Sequence, residues 1–349
     1  MGWSVVGITL LLIIVGEVGL RLALTAKDRF MSRPRIDGWT WADAYHGAEW
    51  IHDYHRELES ALPFVWRPYV YWRRPSYQGR TINVDRNNRR AIWNPPPRDG
   101  AADPTPVRVF TFGGSTMWGA RVRDDHTVAS HLSKLLHERG YRAEVTNYGE
   151  VAYVSTQAAI TLLRCIHRGE APDIALFYDG INDVIASYLY GEAGIPHNEA
   201  GRRAEFNLLD RPRRMLRYFS QQLRARGLWG FGRVAGWVQR RVRSPPDNRP
   251  RTRPPRDEVA RQALHAYASN LAFVESLGRR YGFEPLFYWQ PNIFSKRHRS
   301  PREQAIAASS SVSKEMYDDI YRRVQRSAAL DRRPRFHNIS DLFDELEEP

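Results

Sequence analysis

The sequence predicts an α/β protein built on a doubly wound parallel sheet of five strands, and three observations lead there. Short apolar runs with period-two patterning alternate with helix-period segments along residues 107–349. One of those runs, Asp173 to Tyr178 (DIALFY), is apolar throughout its middle, as a strand covered on both faces must be. Three successive runs end in glycine- or asparagine-rich turns, where a parallel α/β sheet collects its ligands.

The first strand runs into Val107 to Gly119, VRVFTFGGSTMWG, where the apolar alternation stops at two glycines and opens onto Ser115. The Thr127 to Leu136 pattern that follows predicts a helix, which places Ser115 on a strand-to-helix turn. Such a serine is open to three readings: a nucleophile, an ordinary helix cap, or part of a phosphate cradle made of helix-start amides. Arg142 to Thr146 is the second strand and ends at Asn147, and Ser155 to His167 is a helix with Ser155 as its N-cap. DIALFY is the third strand and ends in Asp179-Gly180-Ile181-Asn182-Asp183. Beyond it come a helix over Asp257 to Leu277, a strand over Pro285 to Trp289, a helix over Val312 to Leu330 and a fifth strand over Arg335 to Ile339.

Composition narrows the possible partners. With 349 residues and 42% hydrophobic content, the chain can bury a large core. Cys165 is its only cysteine, which excludes an intrachain disulfide, and it sits in a helical pattern as a small core residue. The net charge of +13 is local: residues 201–256 hold 16 Arg against Glu205, Asp210 and Asp247, and the remainder is balanced. In this basic segment Leu216, Phe219 and Leu223, then Leu228, Phe231, Val234, Val238 and Val242, recur at helical spacing beside Trp229 and Trp237. Arginines opposite such a stripe suit an anionic headgroup layer, while packing on the domain or nonspecific nucleic-acid binding would use the same residues. Membrane contact is the expectation, and nucleic acid is not expected as a partner.

The amino terminus points the same way. Trp3 to Val15 is uncharged and apolar, and Val18 to Leu24 continues the run, interrupted by Glu17 and Arg21 at i,i+4. A cleaved signal peptide would need a basic start and a better cleavage site than Leu24-Thr25-Ala26, so residues 1–26 are expected to be a single-pass anchor. The side of the membrane stays open, since Lys27, Arg29, Arg33 and Arg35 follow the run. Residues 27–106 form an aromatic-rich extension and linker, and 107–349 the main domain with the basic insertion 198–256. In the extension, Glu49, His52 and His55 share a helical face but have no fourth ligand in register, so no metal is expected. No cofactor is expected either.

Gly113-Gly114-Ser115, the Asn147-Tyr148-Gly149-Glu150-Val151-Ala152-Tyr153 run and Gly180-Ile181-Asn182-Asp183 occur in the order of the SGNH or GDSL hydrolases, which this chain resembles over about Val107 to Asp183. GGSTMWG, NYGEVAYVSTQ and FYDGIND are most similar to a membrane-anchored bacterial branch. The resemblance implies a flavodoxin-like sheet and a serine ester hydrolase acting on an acyl ester. Ser115 would be the nucleophile, and its amide, the Ala152 amide and the Asn182 side chain would line the oxyanion hole. Gly114, Gly149, Gly180 and Asp183 would support them. The family's second-block glycine falls on Ala152, which keeps the amide but adds a methyl group. The rival phosphate-binding module lacks the lysine and spacing of a P-loop.

The resemblance also implies an Asp-x-x-His pair after the fifth strand, and here no histidine follows His337. The only Asp-x-x-His is Asp43-Ala44-Tyr45-His46, in the extension. Three explanations stand: a sequence cut short before its last motif, which is the expectation; a binding protein that has lost its base; or a substitute histidine such as His126 or His197. Under the first, the chain as given should assemble its pocket yet be catalytically crippled.

Overall fold

The computed structural model describes residues 48–60, 64–96, 105–206, 254–309 and 314–346, together with 12, 14–20, 220–222 and 233. The chain divides into two compact units, Gly47–His197 with Arg253–Pro349, and Met1–His46 with Asn198–Thr252. In the first, chain order is α1 (Trp50–Ser60), β1 (Val65–Arg67), β2 (Tyr71–Arg73), β3 (Tyr77–Gln78), β4 (Asn83–Val84), β5 (Val107–Gly113), α2 (Ser115–Trp118), α3 (Val128–Glu138), β6 (Ala143–Asn147), α4 (Ser155–His167), β7 (Ile174–Asp179) and α5 (Ile181–Tyr190). In the second, α6 (Glu199–Phe206) is described, with Arg203 facing Glu199 one turn away. The first unit resumes with α7 (Arg256–Tyr281), β8 (Glu284–Trp289), α8 (Pro301–Ser309), α9 (Lys314–Gln325), α10 (Ala328–Asp331) and β9 (Phe336–Asn338).

Five strands form one parallel sheet in the order β6-β5-β7-β8-β9. Its period-two patterning sorts side chains onto two faces. Phe110 and Phe112 of β5 enter a core with Ala175, Phe177, Phe287 and Trp289, covered by α4, α7 and α9. Val109 goes to the other face, with Val145, Met117 and Ala129. The register brings Phe112, Phe177 and Phe287 side by side, with ring centroids 4.8 and 5.4 Å apart. Burial of such rings contributes roughly 2–3 kcal/mol each.

The extension binds at the β6 side. Asn94 pairs with the backbone of Val145 through both ends of its side-chain amide, accepting from its N–H (3.0 Å) and donating to its carbonyl (2.9 Å). The sheet edge is thereby blunted without a further strand. Arg90, fully buried, donates to Asp124 and to the carbonyls of Thr81 and Val122, and lies 4.3 Å from the centroid of the Trp118 ring.

Two sequence expectations are corrected. The helix expected over Val312 to Leu330 is two: α9 stops at Gln325, Ser327 adopts an extended conformation (ψ 95°), and α10 starts anew. Ser155 is not an N-cap; Val154 holds that position, because the Ser155 hydroxyl is taken by a carboxylate on another element. No helix among the described residues is long and apolar enough to cross a membrane. Most of the expected anchor in residues 1–26 and most of the basic insertion 198–256 lie outside the described residues.

Candidate active site

The strand order reverses direction between β5 and β7, since the chain leaves β5 for β6 on one side and returns to β7 on the other. In open α/β sheets ligands collect beyond the carboxyl ends at such a point. Ser115 follows β5 and Asn182 follows β7, so the two flank it.

At the end of β5 the chain turns into α2, whose cap is Gly114 (φ −82°, ψ −153°) with no side chain to satisfy the first-turn amides. Ser115 is therefore the first helical residue and not the cap. It is half-buried, and neither its hydroxyl nor its amide has a partner among the described residues.

Beyond β6, the chain stays paired along β5: Tyr148 N–H donates to the Thr111 carbonyl and Glu150 N–H to that of Gly113. Asn147 donates to the Met117 carbonyl of α2 (2.8 Å) and accepts from Gly149 N–H (2.9 Å). A β-carbon on Gly149 would stand 2.7 Å from the Trp118 nitrogen, so only glycine lets this loop approach α2. Ala152 then adopts φ +63°, the left-handed region where a β-carbon is strained. This accounts for the glycine that the resemblance calls for here. The extension holds the turn in place: Trp72 Nε1 donates to the Val151 carbonyl (2.9 Å) and the Tyr153 hydroxyl to the Trp72 carbonyl. The Ala152 amide has no acceptor among the described residues.

Gly114 is where the three strand ends meet. A β-carbon there would lie 2.2 Å from Asn182 Nδ2 and 3.5 Å from the Tyr153 carbonyl oxygen. Asn182 Nδ2 donates one hydrogen to that oxygen (2.8 Å), which orients the amide and leaves its second hydrogen unspent. The amides of Ser115 and Ala152 and the free hydrogen of Asn182 are thus three unspent donors on elements that converge at Gly114.

Buried carboxylates brace this arrangement. Asp183 accepts from both the amide and the hydroxyl of Ser155, at 3.1 and 2.5 Å, which ties α5 to the start of α4. Asp179 is buried beside it, with Oδ1 unpaired. Burial and the neighbouring Asp183 push the Asp179 carboxyl well above the usual carboxylate range. Burial pushes the Asp183 carboxyl up as well, to about 6, against the lowering effect of its Ser155 donors, and those donors favour its charged form over that of Asp179. Glu150, fully buried, accepts from the amides of Arg74 (2.9 Å) and Val151 (2.8 Å). Burial raises its pKa, against the lowering effect of Arg73.

None of the candidate histidines reaches the Ser115 hydroxyl. His126 is partly exposed and contacts Asp125 at 2.9 Å. His337 is exposed and stacks on Tyr288 of the neighbouring strand, ring centroids 5.1 Å apart. The His197 ring is held by the Asn182 backbone carbonyl, and its Nε2 is buried without a partner; burial pulls its pKa below the usual imidazole value, against the raising effect of that carbonyl. Asp43 and His46 lie outside the described residues. Among the described residues no group of three His, Cys, Asp or Glu could hold a metal ion.

Sequence reasoning missed Trp72, Arg73 and Arg74. Their signal was a pair of adjacent arginines in an otherwise aromatic run, Tyr69 to Arg74, which is costly unless the charges meet buried partners.

No family model and no curated protein matches the chain. Among solved structures it is similar to AlinE4, an SGNH-hydrolase family esterase, at 15% identity over 53% of this chain and 77% of that one, with a TM-score of 0.24. It is also similar to an acetyl xylan esterase, AlAXEase, at 13% identity over 66% and 91% with a TM-score of 0.29. A third is LAE5, an alpha/beta hydrolase enzyme from the metagenome of Lake Arreo, Spain, at 14% identity over 68% and 79% with a TM-score of 0.28. Likeness at these scores carries no function.

Proposed function

We propose that this protein is a serine-dependent ester hydrolase, with an acylated carbohydrate or lipid as its substrate class. The observation that supports it most is the meeting of three strand ends at Gly114, with an unpaired serine hydroxyl and three unspent N–H donors around it. In the reaction Ser115 Oγ would attack the acyl carbonyl carbon, the ester C–O bond would break, and the hydroxyl proton would pass through a base to the departing alcohol. Water would then release the acyl group by the same route. The oxyanion formed on the way is what the Ser115, Ala152 and Asn182 donors suit, each such donor contributing about 3 kcal/mol to the barrier reduction.

The base is the unassigned part, because no described imidazole bonds to Ser115. That observation favours a second reading, a pocket that binds an acyl group without turning it over. One experiment separates the two. A fluorophosphonate probe and a short acyl ester are offered to the full chain and to Ser115→Ala, with and without added imidazole. The hydrolase reading expects Ser115 labelling, and turnover that imidazole raises by at least tenfold in the parent chain beyond its effect on Ser115→Ala. No labelling and identical turnover in the two proteins would refute it.

A further inference from the structure

On the outer side of the Tyr148 turn lies a cavity of about 70 Å³, room for a few waters or one small anion, lined by Arg67, Arg73, Arg164 and Arg168 with Tyr148 and Thr161 among its other walls. No described carboxylate lines it. The arginines come from three elements: Arg67 from β1, Arg73 from β2, and Arg164 and Arg168 from α4 and its cap. The fold therefore gathers them; one helix face alone does not.

Their hydrogen bonds fix geometry more than they balance charge. Arg67 donates to Asn88 Oδ1 from Nε (3.0 Å) and Nη2 (2.7 Å), and from Nη1 to the Trp66 carbonyl. Arg73 donates from Nη2 to the Tyr148 carbonyl (2.9 Å) and Thr161 Oγ1 (3.4 Å), and Arg164 donates to the Pro68 carbonyl (3.2 Å). All of these acceptors are neutral. Only Arg168 meets a carboxylate, Glu170, at 3.0 Å. Glu150, the other nearby acid, is shared between Arg73 and Arg74. Arg89, over the Tyr148 ring, is already matched by Asp85 at 2.7 Å. Counting Arg74 with the four lining arginines, five guanidiniums face two carboxylates, Glu150 and Glu170. Arg73 is only 6% exposed, and its Nη1 is buried without a partner.

Like charges gathered in a partly dry cavity repel one another by an amount that grows as water is excluded, and a bound anion removes that cost. Guanidinium forks match the paired oxygens of a phosphate or sulfate. We infer that this cavity is a binding site for a tetrahedral oxyanion, a phosphate or sulfate group. The cavity is lined by none of Ser115, Ala152 and Asn182, so its binding is tested independently of the hydrolase reading.

The test is a titration of the full chain with inorganic phosphate and with sulfate at constant ionic strength, chloride making up the difference, read as the thermal unfolding midpoint. The inference expects a saturable rise. In Arg164→Gln and Arg168→Gln, which change rim residues, the half-saturating concentration should rise about tenfold, as for loss of one charge-assisted hydrogen bond. Glycerol 3-phosphate and vesicles containing phosphatidic acid identify the source: tighter binding of the first indicates a phosphorylated small molecule, and of the second a lipid headgroup. The inference is overturned if chloride alone gives the same rise, if no arm saturates, or if both variants keep the parent's half-saturating concentration.

Discussion

At the carboxyl edge of the sheet, the ends of β5, β6 and β7 are joined through the side chains of Asn147, Asn182 and Asp183, whereas the ends of β8 and β9 are held mostly by backbone hydrogen bonds. In the first region Asn182 sits on Gly114 and donates to Tyr153, Asn147 bonds α2, and Asp183 binds Ser155. In the second, Gln290 N–H donates to the Asp179 carbonyl, Ile339 N–H to that of Trp289, and Ser295 Oγ to that of Ser340 (2.7 Å). Arg297 and Asp344 pair on the surface, and His337 faces solvent from β9. Both regions are ordered by hydrogen bonds. They differ in where their unspent donors lie: Trp289 Nε1 and Asn292 Nδ2 of the second region are buried singly without partners, whereas the Ser115 and Ala152 amides and the Asn182 side chain of the first gather on elements that converge at Gly114.

The first region is most sensitive at Gly114, where a β-carbon would meet the Asn182 amide. Replacement of this glycine by alanine puts a methyl group where the Asn182 amide lies, so under the proposed hydrolase function Gly114→Ala should lower ester turnover by about 10²-fold or more, as Asn182→Ala should by removing the donor. The double variant should lose no more than the worse single one, because both act on the same amide. Additive losses in kcat/KM would show that Asn182 acts elsewhere.

A smaller effect sharpens the account of how the first region is braced. The folded pKa of Asp179 is raised by burial and by Asp183, and Tyr267 and Trp289 also pack at this buried site. The folded state therefore keeps a proton that the unfolded chain releases near pH 4. Stability from this group is fully present below that pH and is lost as pH rises toward the folded value, at up to about 1.4 kcal/mol per unit. Asp179→Asn cannot titrate, so the parent's unfolding midpoint should fall relative to the variant's between pH 4 and 6. A constant difference across that range would contradict a protonated Asp179.

The smallest effect belongs to the second region. His337→Ala removes an exposed ring stacked on Tyr288 and should change stability by no more than about 0.5 kcal/mol, with ester turnover unaltered. A large loss of turnover would place an imidazole from β9 in the reaction.

Much of this was legible from residue order. Alternation in VRVFTFG and the unbroken apolar middle of DIALFY identified buried strands, because side chains on a strand point to opposite faces and a strand covered on both must be apolar on both. That Ser115, Ala152 and Asn182 form a set was implied by the family resemblance of the strand-end motifs, while the parallel sheet explains why successive carboxyl ends lie at one edge. The tertiary structure alone decided which groups those motifs would touch. Ser155 gave up capping α4 to bind Asp183, which is 28 residues away in sequence. Ala152 was driven to a positive φ by a turn anchored to Trp72, and four arginines from three elements came to line one cavity. Local propensity and periodicity are properties of neighbouring residues and can be read in one dimension. Partnerships between side chains far apart in the chain depend on distances that exist only once the sheet and its covering layers have formed.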